Sequence, residues 1–202
     1  MQTLKKQINE IMKKNAGEIY TAQDFKHIAS KNTIASILSQ LAKEGEIERL
    51  INGLYTRPYY IDLVDRYSYP NPEQVAKKIA QKNGWTIAPA REATLNYTGV
   101  STQVPVIFEY ISDGPSKVYI YRKRKITFIN RPKNYISTCS RRFAILVEAI
   151  RWLGRKYINN NEIRDLAFYA RDVQEDLLKD TKDVSFWIRN VLLKIKEIND
   201  NR

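Results

Sequence analysis

The dipeptide Asn52-Gly53 is the feature that most narrows the folds open to this chain. Both residues tolerate positive φ, and they lie between Glu46-Ile-Glu-Arg-Leu50 and Leu54-Tyr-Thr-Arg57, two short strand-like runs. Residues 46–57 are therefore predicted to close as an antiparallel hairpin. What precedes the hairpin is helical in pattern. Leu4, Ile8, Ile11 and Met12 recur at helical spacing and predict an amphipathic helix over residues 2–14 with lysines on its outer face. Thr21 is placed to cap a second helix running to about Ser30, with Asp24 at its third position. Lys31-Asn32 reads as a tight turn, and Ile34, Ile37, Leu38 and Leu41 form the apolar stripe of a third helix that ends near Gly45. Three helices followed by a hairpin is the order of a winged helix-turn-helix, expected over residues 1–60.

At 100° per residue, Asn32, Ser36, Ser39, Gln40 and Lys43 fall on the face of the third helix opposite the leucines, with Thr33 at its edge. That face is small, polar and almost free of acids. Short side chains allow close approach to a major groove, amides and hydroxyls meet base edges, and a lysine meets phosphate. An ordinary solvated face would carry more Glu and Lys pairs. Arg49, Asn52 and Arg57 on the hairpin would reach the DNA backbone or the minor groove, provided that Glu46 and Glu48 point away.

The charge balance agrees with an anionic partner. Thirty-four Lys and Arg against twenty-two Asp and Glu give a net charge of +12, with a pI near 9.7. The one dense basic run is Arg122-Lys123-Arg124-Lys125. It is expected at the tip of a second hairpin, either as a solvated turn or as a patch that meets a partner or nucleic acid.

Further along, Pro70-Asn71-Pro72 breaks the chain, and residues 73–83 are predicted to be helical with Val75, Ile79 and Ala80 on one face. Val104 to Tyr110, Lys117 to Tyr121 and Lys125 to Asn130 read as three antiparallel strands, with Asp113-Gly114-Pro115 as a turn. From Ser140 the period becomes helical. Phe143, Val147, Ile150 and Leu153 mark one helix, Ile163 through Leu177 a second capped among Asn159 to Asn161, and Val184 through Ile198 a third. Trp152, Phe186 and Trp187 are expected in the core. The fold class is thus α+β: the winged helix, then residues 61–202 as a second domain with a sheet part (61–138) and a helical part (139–202).

With 202 residues, 43% of them hydrophobic, the chain is long enough to bury such cores. No apolar stretch is long enough to cross a membrane, and the lysine-rich N-terminus lacks an apolar run behind it, so a cytoplasmic protein is expected. A single cysteine, Cys139, and a single histidine, His27, leave neither a disulfide nor a zinc ligand set, and no cofactor is expected. They also leave no nucleophile with its base. Asp172, Glu175 and Asp176 cluster on one predicted helix, but Arg171 and Lys179 beside them suit a salt-bridged surface better than a two-metal site. The glycines stand singly, so no phosphate loop is present. An enzyme is not expected.

Several segments together resemble the AbiE-type (type IV) antitoxins, the AbiEi-like proteins. They are Tyr20-Thr-Ala-Gln-Asp-Phe25 with Leu38 to Ile47 and Arg49-Leu-Ile-Asn-Gly-Leu-Tyr55, then Asn83-Gly-Trp-Thr-Ile-Ala-Pro89, Leu95 to Pro105 and Ser112-Asp-Gly-Pro-Ser-Lys117. The resemblance spans residues 15–135, and Phe186-Trp-Ile-Arg189 with the helix after it is similar to the ending of those proteins. It implies a repressor that binds double-stranded DNA at the promoter of its own operon through Asn32, Thr33, Ser36, Gln40 and Lys43. It also implies a second region that counteracts a nucleotidyltransferase-like toxin, and no enzymatic activity. Two other readings remain open on the residues alone: a stand-alone winged-helix transcription factor with an effector-binding domain, and a nucleic-acid enzyme with a winged-helix targeting module.

Overall fold

The computed structural model of the chain describes residues 2–132, 136–173, 177 and 184–201. The fold mixes helices with small sheets and divides into two compact units. One comprises Met1–Gly84 with Tyr119–Lys125, the other Trp85–Val118 with Ile126–Arg202.

In the first unit, α1 (Gln2–Lys14) is followed by β1 (Ile19–Tyr20), α2 (Lys31–Lys43), β2 (Glu48–Ile51) and β3 (Leu54–Thr56). The three strands form an antiparallel sheet in the order β1-β3-β2. Ile8 and Met12 from α1, Ile34, Ile37, Leu38 and Leu41 from α2, and Phe25, Ile47 and Tyr55 share one buried cluster. Each large aliphatic side chain removed from water there contributes about 1.5–3 kcal/mol, which is why the stripes decide the packing. The Asn52-Gly53 hairpin forms with Ile51 paired to Leu54, but only Gly53 takes a left-handed φ, of 75°. A register shift between Arg49 and Ile51 accommodates this turn.

The expected second helix is not formed. Residues 22–29 are a chain of tight turns, with Asp24, Lys26 and Ile28 each donating its amide to the carbonyl three residues back. The cap itself is present: the Asp24 carboxylate accepts from the Thr21 amide at 2.6 Å and the Thr21 hydroxyl at 2.8 Å. Propagation fails because Ser30 already begins α2, leaving too few residues to repay helix nucleation. Phe25, stacked on Tyr20 with centroids 5.2 Å apart, anchors the segment instead. Lys31-Asn32 is likewise no turn but the first turn of α2, because the Ser30 hydroxyl accepts the Thr33 amide. At the other end the Glu46 amide reaches Leu41 and the Gly45 amide reaches Ala42, a Schellman closure with Gly45 at φ 77°.

The first unit continues past residue 60. A hairpin of β4 (Tyr59–Ile61) and β5 (Arg66–Ser68) fills part of the segment between Pro58 and Pro72, and α3 (Pro72–Asn83) follows, capped by an Asn71–Gln74 box. α3 buries Val75, Ala76, Ile79 and Ala80 and packs on β1. Lys78 on α3 reaches Asp24 at 2.8 Å. Residues Tyr119–Lys125 complete the unit as the tip of a hairpin, with the Tyr121 hydroxyl donating to the Pro70 carbonyl at 2.8 Å.

In the second unit the strands are β6 (Ile87–Pro89), β7 (Phe108–Ser112), β8 (Lys117–Tyr121) and β9 (Arg124–Asn130), with α4 (Glu92–Tyr97) between β6 and β7. The outer ends of β8 and β9 belong to the first unit. The sheet has four strands in the order β6-β7-β9-β8, not three, and it is mixed: β6 is antiparallel to β7, but β7 runs parallel to β9. β7 begins only at Phe108, since Val104, Val106 and Ile107 are exposed. The Ser112 to Lys117 segment is a locked turn. Gly114 packs so tightly on the Trp85 indole that a Cβ there would collide with the ring. The Asn130 side chain donates to the Gly114 carbonyl at 2.8 Å.

The helices α5 (Arg141–Leu153), α6 (Asn160–Ala170) and α7 (Phe186–Asp200) share the core of this unit with β6 and β7. Asn159 caps α6 through a box with Glu162. Of the aromatic residues expected in the core, Phe186 is 78% and Trp152 43% exposed, and only Trp187 packs on the cluster. Both sit at helix ends, where the stripe runs out. Glu175, Asp176 and Lys179 lie outside the described residues. Among the described residues no helix is long and apolar enough to cross a membrane.

Candidate nucleic-acid interface

α2 is thirteen residues long without one acid among them. Its buried side is Ile34, Ile37, Leu38 and Leu41, so the helical period turns Asn32, Ser36, Gln40 and Lys43 to solvent, all exposed, with Thr33 and Ser39 half-buried. The structure thus brings all six expected positions onto one helix. Thr33 is partly committed to the cap, its hydroxyl 2.8 Å from that of Ser30. The Gln40 amide donates to Glu44 Oε1 at 3.1 Å, and Lys5 Nζ sits 2.6 Å from the same oxygen. The one carboxylate at the end of this helix is therefore neutralised by Lys5.

The hairpin residues divide. Arg49 on β2 donates from Nη2 to the Ser39 hydroxyl at 3.1 Å, and its guanidinium lies 5.3 Å from the Tyr55 ring centroid. This places a permanent cation beside the middle of the exposed helix face. Asn52 is exposed at the turn, and its carbonyl accepts Lys82 Nζ at 3.1 Å. Arg57 is turned the other way: Nη1 donates to Asn9 Oδ1 at 2.8 Å and Nη2 pairs with Glu46 at 3.2 Å. It holds α1 to the sheet. The Asn9 amide and the Arg57 guanidinium hold the Glu46 carboxyl below the usual carboxylate range.

Glu48, the other acid near the hairpin, pairs with Arg122 at 3.3 Å. The Arg122 guanidinium carbon also lies over Tyr69, 3.6 Å from the ring centroid. The basic run is therefore a hairpin tip, as its sequence implies, and its tip belongs to the same unit as α2. Arg122 and Lys123 both take positive φ, 45° and 67°, which makes the two-residue turn left-handed at both positions. Arg122, Lys123, Arg124 and Lys125 are all exposed. Sequence reasoning missed the Glu48 and Lys82 links because the partners are 74 and 30 residues apart in the chain.

The second unit holds a different electrostatic arrangement. Glu148 is 3% exposed and accepts from Arg131 Nε and Nη2 at 3.1 and 3.2 Å and from Arg151 Nε at 3.0 Å. Two guanidiniums on one buried carboxylate tie the end of β9 to α5. His27 is exposed and Cys139 half-buried against the core. Among the described residues no group of three His, Cys, Asp or Glu side chains is placed to hold a metal ion.

A family described as "Family of unknown function (DUF6088)" matches residues 6–178. The chain belongs to this family. The match takes in α2, the β2–β3 hairpin, α3 and the basic tip, and most of the second unit with them. No curated protein matches the chain.

Proposed function

We propose that this protein binds duplex DNA through an N-terminal winged helix, with α2 in the major groove and the β2–β3 hairpin as its wing. The observation that carries the reading is the acid-free exposed face of α2 with Arg49 docked against Ser39 at its centre. Such a surface offers amide and hydroxyl groups for base edges and cations for phosphate, without a carboxylate to repel the backbone. The element order α1, β1, turn segment, α2, β2, β3 and the sheet order β1-β3-β2 support it, with residues 22–29 in the place of the middle helix. Asn32, Ser36 and Gln40 are the base-facing candidates, Lys43 and Arg49 the phosphate-facing ones.

The resemblance to AbiE-type antitoxins supports a more specific role. On that reading the protein represses its own operon in the cytoplasm, and the second unit counteracts a nucleotidyltransferase-like toxin; the protein itself catalyses nothing. The test of the first part is binding to the DNA upstream of its gene against a scrambled duplex of the same length over a range of salt. Preference for the upstream duplex, with affinity falling steeply as salt rises, supports the reading. Equal affinity for both duplexes or insensitivity to salt refutes it. Rescue of growth by co-expression with the neighbouring toxin gene tests the second part.

A further inference from the structure

Strands β4 and β5 pair only with each other, and among the described residues no third strand joins either edge. A two-stranded hairpin is marginal by itself and needs something to pack on. Its base has this: the Tyr59 ring lies against Gly17 so closely that a Cβ there would meet it. Tyr60 and Tyr67 then stand edge to face across the strands, with centroids 5.2 Å apart. Beyond them the tip is uncovered, and residues 62–67 are all exposed, Leu63 to 93%. Leu63 and Val64 with the exposed Tyr59, Tyr60 and Tyr67 put five large side chains on one short hairpin. Single exposed apolar residues are ordinary, but a group of this kind marks a contact surface.

The charges at the tip choose the occupant. The Asp65 carboxylate accepts the Tyr60 hydroxyl. Asp62, just before Leu63, and Arg66, two residues after Val64, have no ion-pair partner among the described residues. An acid, an apolar centre and a base in that order are complementary to the same surface turned about a two-fold axis. We propose that this tip joins two copies of the chain, with Leu63 and Val64 packed on their counterparts and Asp62 of each copy facing Arg66 of the other. A nucleic acid is the poorer occupant, because Asp62 and Asp65 oppose its phosphates. The patch is small, below the about 1,200 Å² of a stable interface, so the pairing is weak and set by concentration. This inference does not depend on the DNA-binding reading.

The experiment is sedimentation velocity of the full chain from micromolar to near-millimolar concentration, where monomer should pass into dimer. Leu63→Ser should raise the dissociation constant at least about tenfold, because each copy withdraws an apolar side chain from the contact. Asp62→Arg and Arg66→Asp should each weaken association by about tenfold, because like charges then oppose. Mixed in equal amounts, these two variants should recover association at the wild-type level, since every acid again faces a base. A wild-type chain that stays monomeric throughout overturns the proposal and leaves the tip to another partner. Association that a folded Leu63→Ser variant keeps unchanged also overturns it. If Leu63→Ser does not fold, the two charge variants decide, and a mixture that fails to recover association overturns the proposal.

Discussion

Arg49 on β2 donates to the hydroxyl of Ser39 on α2 across 3.1 Å, so the β2–β3 hairpin and the exposed helix face share one polar contact. The two residues are ten apart in sequence, and the intervening chain reverses through the Gly45 closure. The link makes the position of the Arg49 cation depend on the helix. If the surface binds DNA, Arg49→Ala should weaken operator and random duplexes equally, reducing the salt slope by about 0.9. Ser39→Ala, which frees Arg49 to swing, should weaken both by a smaller factor. Fluorescence anisotropy over a salt series measures each.

Gln40 should behave differently. Its amide now meets Glu44, an exposed hydrogen bond that is readily exchanged for a base edge. Gln40→Ala should cost about 1–3 kcal/mol on the upstream sequence and much less on a scrambled duplex. Equal losses on the two would reassign Gln40 to the phosphates.

Asp24 makes part of the first unit's stability dependent on acid. Burial pushes its carboxyl up, but Lys78 and the Thr21 amide and hydroxyl outweigh burial, and its pKa lies below the ordinary value. A carboxyl held low in the folded state adds stability that is fully present above its unfolded pKa, about 3.9, and is lost as pH falls through the folded value. Urea midpoints of the wild type should therefore fall on acidification from pH 5 toward 3. Asp24→Asn should lower the midpoint at pH 7 and flatten this part of the profile.

The basic tip stores backbone strain. Lys123 at φ 67° occupies a region that costs a side-chain-bearing residue roughly 1 kcal/mol. Lys123→Gly should recover most of it, raising the stability of the chain by about 0.5–1 kcal/mol in chemical denaturation. Arg122, stacked on Tyr69 and paired with Glu48, should be left in place. A loss of stability would show that the Lys123 side chain, and not its backbone, matters at this turn.

Removing the buried carboxylate of Glu148 should be the most damaging of these changes. Glu148→Ala leaves Arg131 and Arg151 facing each other beside an empty site. Because both arginines are partly exposed and reach water, the cost should fall near the low end for a broken buried pair, about 3 kcal/mol. Thermal unfolding of the full chain reads it.

Elements with local signals could be read from the amino-acid sequence alone. The stripes of α1, α2, α3, α5 and α7, a cap among Asn159 to Asn161, the Gly45 closure, the Asn52-Gly53 turn and the polar face of α2 all depend on residues within one or two helical turns of each other. Periodicity and capping act at that range, so they are readable without the fold. The tertiary structure decided what depends on residues far apart in the chain. It placed β9 between β7 and β8, a pairing that no turn signal encodes, and it left residues 22–29 as turns, with Phe25 stacked on Tyr20. It turned Arg57 to Asn9 and Glu46, and it carried Lys82 to the Asn52 turn and Arg122 to Glu48 across 30 and 74 residues. Charge partners at such separations are chosen by the packing of the elements that carry them.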